Sequence, residues 1–141
     1  KMENEKKINL LKLRYEILYA INHAYKRDLD NALKLLDHAS ILLQKLHKQA
    51  VAKESMFYQI MQIGLNNAQR CLHKKQRTIS IVEMSHISDI PLMFLVEGYT
   101  KEQEEYYWNV VKVEYETHSK RELVAQFKKL WNEMIQSEVL T

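Results

Sequence analysis

The sequence is poor in what loops, sheets and disulfide scaffolds require. It holds 2 glycines and 1 proline in 141 residues, against average usage of roughly 7% and 5%. Sheets and long loops consume both at turns, so their scarcity points to a few long helices joined tightly. Cys71 is the single cysteine; it excludes an internal disulfide and an all-cysteine metal knot, and fits a reducing, intracellular setting. Two glycines are too few for a phosphate-cradling loop. Long apolar runs are missing too: Ile90 to Val96 is the longest, at seven residues, where a bilayer span takes about 20. The charged run Lys1-Met2-Glu3-Asn4-Glu5-Lys6-Lys7 leads straight into an amphipathic pattern, with no apolar core of signal-peptide type. The expectation is one soluble, cytoplasmic, all-α domain of about five antiparallel helices, long enough to bury a core without staples.

What is present is charge of both signs, unevenly spread. Residues 1–77 carry 15 Lys/Arg against 7 Asp/Glu, and residues 78–141 carry 6 against 11, within a net charge of +3. Such asymmetry marks either a nucleic-acid-facing half or two halves, or two copies, that attract each other; the second reading is preferred.

Apolar spacing predicts a first helix from about Asn4 to Tyr25. Ile8, Leu11, Tyr15, Leu18, Asn22 and Tyr25 step by three and four residues and form its expected seam, widened by Ile17, Ala20, Ile21 and Ala24. Asn22 on that seam reads as a core amide fixing register, with a ligand contact as the alternative. Asp28 is a good N-cap for a second helix with the seam Leu29, Ala32, Leu36, Ala39, Leu43 and Leu46. Its extra apolar residues Leu33, Leu35, Ile41 and Leu42 predict a central position. A third helix is expected from an N-cap at Ser55 to Leu72, presenting Phe57, Ile60, Met61, Gly64, Leu65, Ala68 and Leu72, with Gly64 allowing a close helix approach. Residues 1–75 thus form an expected three-helix unit.

Residues 76–99 read as an irregular connection with a short helix. Thr78 to Val82 alternates like a strand, while Ser80 and Glu83 spell a capping box. Asp89-Ile90-Pro91 looks like a helix start and Gly98 like a helix end. Residues 100–141 are expected as a C-terminal helix pair, opened by the boxes Thr100/Gln103 and Ser119/Glu122, the second followed by Leu123, Phe127, Leu130 and Met134. Because residues 111–117 also alternate, a small β-hairpin between 78–82 and 111–117 is the structural alternative.

Catalytic and metal constellations are thin. Glu83-Met84-Ser85-His86 is one Glu-x-x-His motif without the second that a carboxylate-bridged di-metal bundle needs. Glu114 and His118 read as a surface pair, Cys71-Leu72-His73 lacks further zinc ligands, and Cys71 itself reads as packing. No cofactor, metal or enzymatic activity is expected. The basic stretch 45–77, with Lys45, Lys48, Lys74, Lys75 and Arg77 at its core, is the argument for nucleic acid, against the simpler reading of a solvated basic face. Tyr106, Tyr107 and Trp108 are consecutive and cannot all face one core, so at least one is expected on the surface or against a partner.

Ala20, Asp28, Ala32, Leu35-Leu36, Ala39, Leu42-Leu43 and Leu46 lie in a hairpin pattern. It resembles the three-helix modules of microtubule-interacting-and-transport type, which dock helical peptides in a groove. It is also similar to the helical hairpin of translin-type nucleic-acid-binding proteins and, loosely, to tetratricopeptide hairpins. This spacing is what any antiparallel hairpin needs, so the chain is assigned to none of them. The leading expectation is a non-enzymatic, regulatory protein–protein interaction module that docks a partner helix or self-associates as a homodimer. Its expected contacts are Phe57 and Met61 on the third helix, or the aromatic face of Tyr107, Trp108 and Trp131. The alternative is a nucleic-acid-binding accessory protein using Lys45, Lys48, Lys74, Lys75 and Arg77.

Overall fold

The computed structural model describes residues 2–117, with side chains described for 4–88 and 91–110. The expected last helix from Ser119, and Trp131 with it, lies outside the described residues, as does the Glu114–His118 pair. The fold is all-α: α1 (Met2–Tyr25), α2 (Leu29–Lys48), α3 (Ser55–His73), α4 (Arg77–Glu97) and α5 (Lys101–Thr117), with a 3-10 turn over Ala52–Glu54. No strand occurs among the described residues; 78–82 and 111–117 are both helical, so the alternative hairpin does not form. Contacts divide the chain into two compact units, Lys1–Gly98 and Tyr99–Thr141.

In the first unit four helices close into a ring, α1 lying against α2 and α4, and α3 likewise against α2 and α4. Side-chain pairs give the antiparallel register. Between α2 and α3, Gln62 Nε2 donates to Ser40 Oγ at 3.3 Å and Gln69 Nε2 to Asp37 Oδ1 at 2.8 Å, while His47 Nε2 lies 3.0 Å from Ser55 Oγ. Between α3 and α4, the Phe57 ring meets Phe94 edge-on at 5.9 Å, and Ser80 Oγ donates to the Ala68 carbonyl at 2.9 Å. At Gly64 a Cβ would fall 2.9 Å from Ile87 Cγ1, so the absent side chain is what lets α4 sit this close.

The turns follow local chemistry. Asp28 caps α2 by accepting from the Asn31 backbone N–H at 3.4 Å and from Asn31 Nδ2 at 2.7 Å. These bonds, chiefly the side-chain one, hold the Asp28 carboxyl below its usual range, with His23 helping from 3.2 Å. The ends of α1 and α3 close alike: Asp28 N–H reaches back to the His23 carbonyl and Gln76 N–H to the Cys71 carbonyl. Arg27 and Lys75 take the left-handed conformation there, with φ of 64° and 59°, a place glycine usually fills.

Several expectations change. Ser55 is the first residue of α3 rather than its cap, because the 3-10 turn runs directly into the helix. α2 is not central; it holds one corner of the ring, its core line is Ala32, Leu36, Ala39, Leu43 and Leu46, and Ile41 faces outward. Among the described residues the most buried helix is α3, which adds Met56, Tyr58, Asn67 and Cys71 to its expected face. Residues 77–97 are one continuous helix instead of an irregular connection, so the unit has four helices, not three. Ile81, Met84, Ile87 and Leu95 fall at helical spacing on a buried side, and burying that stripe outweighs the local alternation. The serines fit because their hydroxyls are bonded: Ser85 Oγ donates to the Ile81 carbonyl at 2.8 Å and Ser88 Oγ to the Ser85 carbonyl at 3.1 Å. Pro91 lies inside this helix instead of starting one. α4 is also long and apolar enough to cross a bilayer by length and composition, with mean hydropathy 1.5, and half of that stretch is buried.

In the second unit, Thr100 and Gln103 form the expected reciprocal box: Thr100 N–H donates to Gln103 Oε1 at 2.8 Å, and Gln103 N–H to Thr100 Oγ1 at 3.1 Å. Gly98, with φ of 85°, ends α4 by donating to the Phe94 carbonyl at 2.8 Å.

Candidate functional site

The largest departure from the expected packing lies on α1. Its core line is Leu10, Leu13, Ile17, Ala20 and Ala24, all buried. The seam expected from Ile8 to Tyr25 faces away from the ring except at Leu11, which is half-buried. Ile8, Tyr15, Leu18 and Tyr25 are 62, 60, 42 and 63% exposed, and Asn22 is exposed among them, so it is no core amide. At 3.6 residues per turn the two lines lie about 160° apart on the helix. α1 is therefore apolar on opposite sides, one side used by the ring and one turned to solvent.

Tyr19 joins the outer side at 56% exposure, its ring stacked 6.3 Å from that of Tyr15. Each aromatic offers about 150–250 Å². The exposed patch is thus of the order of 500 Å², near the top of the roughly 300–600 Å² usual for the largest patch on a monomer. Basic side chains edge it: Lys7 and Arg14 on one border, Lys12 and Lys26 on the other. Glu16 faces α2, where burial raises its carboxyl above the usual range while Lys12 and His38 oppose the rise. His38 thus marks the side of α2 turned toward α1, and Lys34 and Lys45 fall on that same side at helical spacing.

The expected contact residues stand elsewhere. Phe57 and Met61 are fully buried, serving the ring's interior rather than a surface. Tyr107 and Trp108 are buried as well, their rings 5.0 Å apart, while the neighbouring Tyr106 is 71% exposed. One member of that aromatic triplet is on the surface, as the spacing requires, and it is the one not singled out. Trp131 lies outside the described residues. The exposed α1 seam was legible as a seam; what the spacing alone did not settle was which way it points.

The basic set divides between the two ends of the first unit. Lys45 and Lys48 sit in the last turn of α2, whereas Lys74, Lys75 and Arg77 sit at the α3–α4 turn, beside the start of α2. A 20-residue helix is about 30 Å long, so the two groups do not converge. What does converge is Arg27 with Lys75 and Arg77, around a shallow cleft of about 510 Å³ that Leu29, Gln76, Thr78 and Ile79 complete.

At the opposite end a polar group ties the helices together. Lys6 Nζ pairs with Glu54 Oε2 at 2.8 Å, and Ser55 Oγ, 3.0 Å from His47 Nε2, also accepts from Gln59 Nε2 at 3.1 Å. The His47 ring stacks on Tyr58 at 5.7 Å. Burial, reinforced by Glu54, pushes the Tyr58 hydroxyl pKa upward, so it stays protonated. Serine and histidine are in reach of each other here, but the adjacent carboxylate is held by Lys6, and the arrangement stitches α1, α2 and α3 rather than activating the hydroxyl. Among the described residues no three His, Cys, Asp or Glu side chains gather where they would hold a metal ion. Comparison with protein-family models, with curated proteins and with solved structures returns no match to the chain.

Proposed function

We propose that this chain is a non-enzymatic protein-interaction module that docks a partner helix on the outer face of α1. One observation carries the reading: α1 has a second apolar line, spaced by threes and fours, that the ring leaves in solvent at Ile8, Tyr15, Leu18 and Tyr25, with Leu11 half-buried among them. Exposing large aliphatic and tyrosine side chains at that regularity is unfavourable for an isolated helix and is what helix-in-groove or coiled-coil recognition uses. The buried Phe57, Met61, Tyr107 and Trp108 then act as framework and not as contacts. Leu18→Glu tests the reading, with Val82→Glu on exposed α4 surface as the control. Complexes formed by the wild-type chain should survive Val82→Glu and be lost with Leu18→Glu. If the two variants behave alike, the α1 face is not where partners bind.

A nucleic-acid-binding accessory role is the second reading, favoured by the convergence of Arg27, Lys75 and Arg77 at one cleft. Phosphate contacts need little more than such a patch, and they weaken steeply with salt. Lys75→Glu combined with Arg77→Glu should abolish any salt-sensitive binding to duplex DNA or RNA, whereas Lys45→Glu with Lys48→Glu should not. Equal loss from both pairs would remove this end of the molecule as the binding surface.

A further inference from the structure

Resting on the proposed docking role of α1, we infer that the occupant of its outer face is an acidic amphipathic helix, not a second copy of this chain. The outer line gives α1 a heptad frame, with Ile8, Tyr15 and Asn22 at a and Leu11, Leu18 and Tyr25 at d. In that frame the flanking e and g positions from Lys7 onward are Lys7, Lys12, Arg14, Tyr19, Ile21 and Lys26. Every charged residue among them is basic; Glu5, at the preceding e position, comes before the first seam residue. The α2 side adds Lys34, His38 and Lys45, with Glu16 half-buried beside them.

Flanking charges choose the partner of a helical seam, because e and g side chains of one helix meet those of the other. Two parallel copies of α1 would set Lys7 of one against Lys12 of the other, and in neither orientation does a second copy bring an acidic row to these basic borders, because Glu5 is the one acidic e or g residue. A helix with glutamates or aspartates at its own e and g positions meets them with opposite charge. Asn22 adds a register requirement, since a lone amide at an a position is best met by a polar residue across the seam. The occupant is thus a helix of about two and a half heptads, apolar at a and d, polar opposite Asn22, and acidic on both borders.

The test uses the full chain and two synthetic helical peptides. Both carry leucine at a and d and one asparagine at a; one has glutamate at all e and g positions, the other lysine. The glutamate peptide should bind, and the lysine peptide about thirtyfold more weakly or worse at low salt. The gap should narrow between about 0.05 M and about 0.5 M salt. Leu18→Glu should abolish binding, Tyr25→Ser should weaken it, and far-UV circular dichroism should show both variants folded. A chain carrying Lys7→Glu, Lys12→Glu and Lys26→Glu should reverse its preference to the lysine peptide. Equal binding of both peptides, lost with Leu18→Glu, would overturn the acidic specification and leave the docking role standing. Neither peptide binding, with a wild-type dimer that Leu18→Glu dissociates, would make the occupant a second copy and overturn the inference alone. Neither peptide binding to a chain that Leu18→Glu leaves monomeric and unchanged would overturn the docking role as well.

Discussion

Placing one methyl group at Gly64 tests the closest approach in the ring. A Cβ there would stand 2.9 Å from Ile87 Cγ1 and 3.1 Å from Ile87 Cδ1, well inside the 3.5–4.0 Å at which carbon atoms attract. Ile87 is buried, and its Cγ1 is bonded directly to Cβ, so the contact is relieved only by turning the whole side chain or by moving α4. Overpacking of this kind costs about 1–3 kcal/mol. Against it, alanine is the better helix former by about 1 kcal/mol. The balance for Gly64→Ala is a net loss of about 1 kcal/mol, lowering the thermal midpoint by roughly 2–8 °C. Urea unfolding followed by far-UV circular dichroism measures it. Ile87→Ala alone should cost about 2–5 kcal/mol. Combined with Gly64→Ala it should cost at least about 1 kcal/mol less than the two single losses together, because the new methyl then has room. A Gly64→Ala variant more stable than wild type by the full helix-propensity gain would refute the close approach of α3 and α4.

Three further outcomes are expected. Leu13→Ala should cost about 2–5 kcal/mol while Leu18→Ala, five residues along the same helix, stays within about 0.5 kcal/mol in urea unfolding; the reverse order would place the wrong face of α1 in the core. The Asp28 carboxyl titrates below its usual range, so its contribution is present above the unfolded carboxylate value of about 3.9 and is lost as pH falls through the lower folded value. Any stability difference between wild type and Asp28→Asn should therefore diminish as pH falls below about 4, and a difference that persists unchanged in acid would contradict this. Thr100→Ala, which removes the acceptor for Gln103 N–H, should destabilise α5 by about 1 kcal/mol, read as faster amide hydrogen exchange over residues 101–104.

Where a local chemical requirement is strict, the sequence announces it. Asp28 caps α2 because a short carboxylate follows the end of one apolar pattern and precedes another, and Thr100/Gln103 closes its box for the same reason. Gly64 stands mid-face on an otherwise large-residue helix, which only a close neighbour explains. The α2 line from Ala32 to Leu46 is legible because its opposite side is polar enough to leave one choice. α4 was harder to read, since Ser80, Ser85, Ser88 and Pro91 argue locally for turns and strand. Helix formation there depends on Ser80 Oγ finding the Ala68 carbonyl on α3, a partner 12 residues away that no local pattern displays. The division of the basic residues was legible in part: an antiparallel hairpin returns the end of α3 toward the start of α2, so only part of the set can cluster, whereas the convergence of Arg27 with Lys75 and Arg77 follows from which turns share an end of the ring.

α1 offered two lines of equal regularity, shifted by two residues, and spacing alone favours neither. The larger side chains mark the outer line, and the core takes the other, closing on Ala20 and Ala24 near the turn to α2, where Ala32 is also buried. Small residues are suited to that end because two helices joined by a turn of Lys26 to Asp28 must lie close there. Toward its C-terminal end α1 turns Ala20 and Ala24 inward while Leu18, Tyr19 and Tyr25 stay outward, which reverses the ordinary distribution of bulk there. Packing within the first unit supplies no reason for that reversal: its interior is filled without those side chains, and their exposure lowers solubility. On the proposed docking role a partner would supply one, since tyrosines bring large, stiff contact area at little conformational cost. On the same reading, the basic border would select an acidic helix to cover that line.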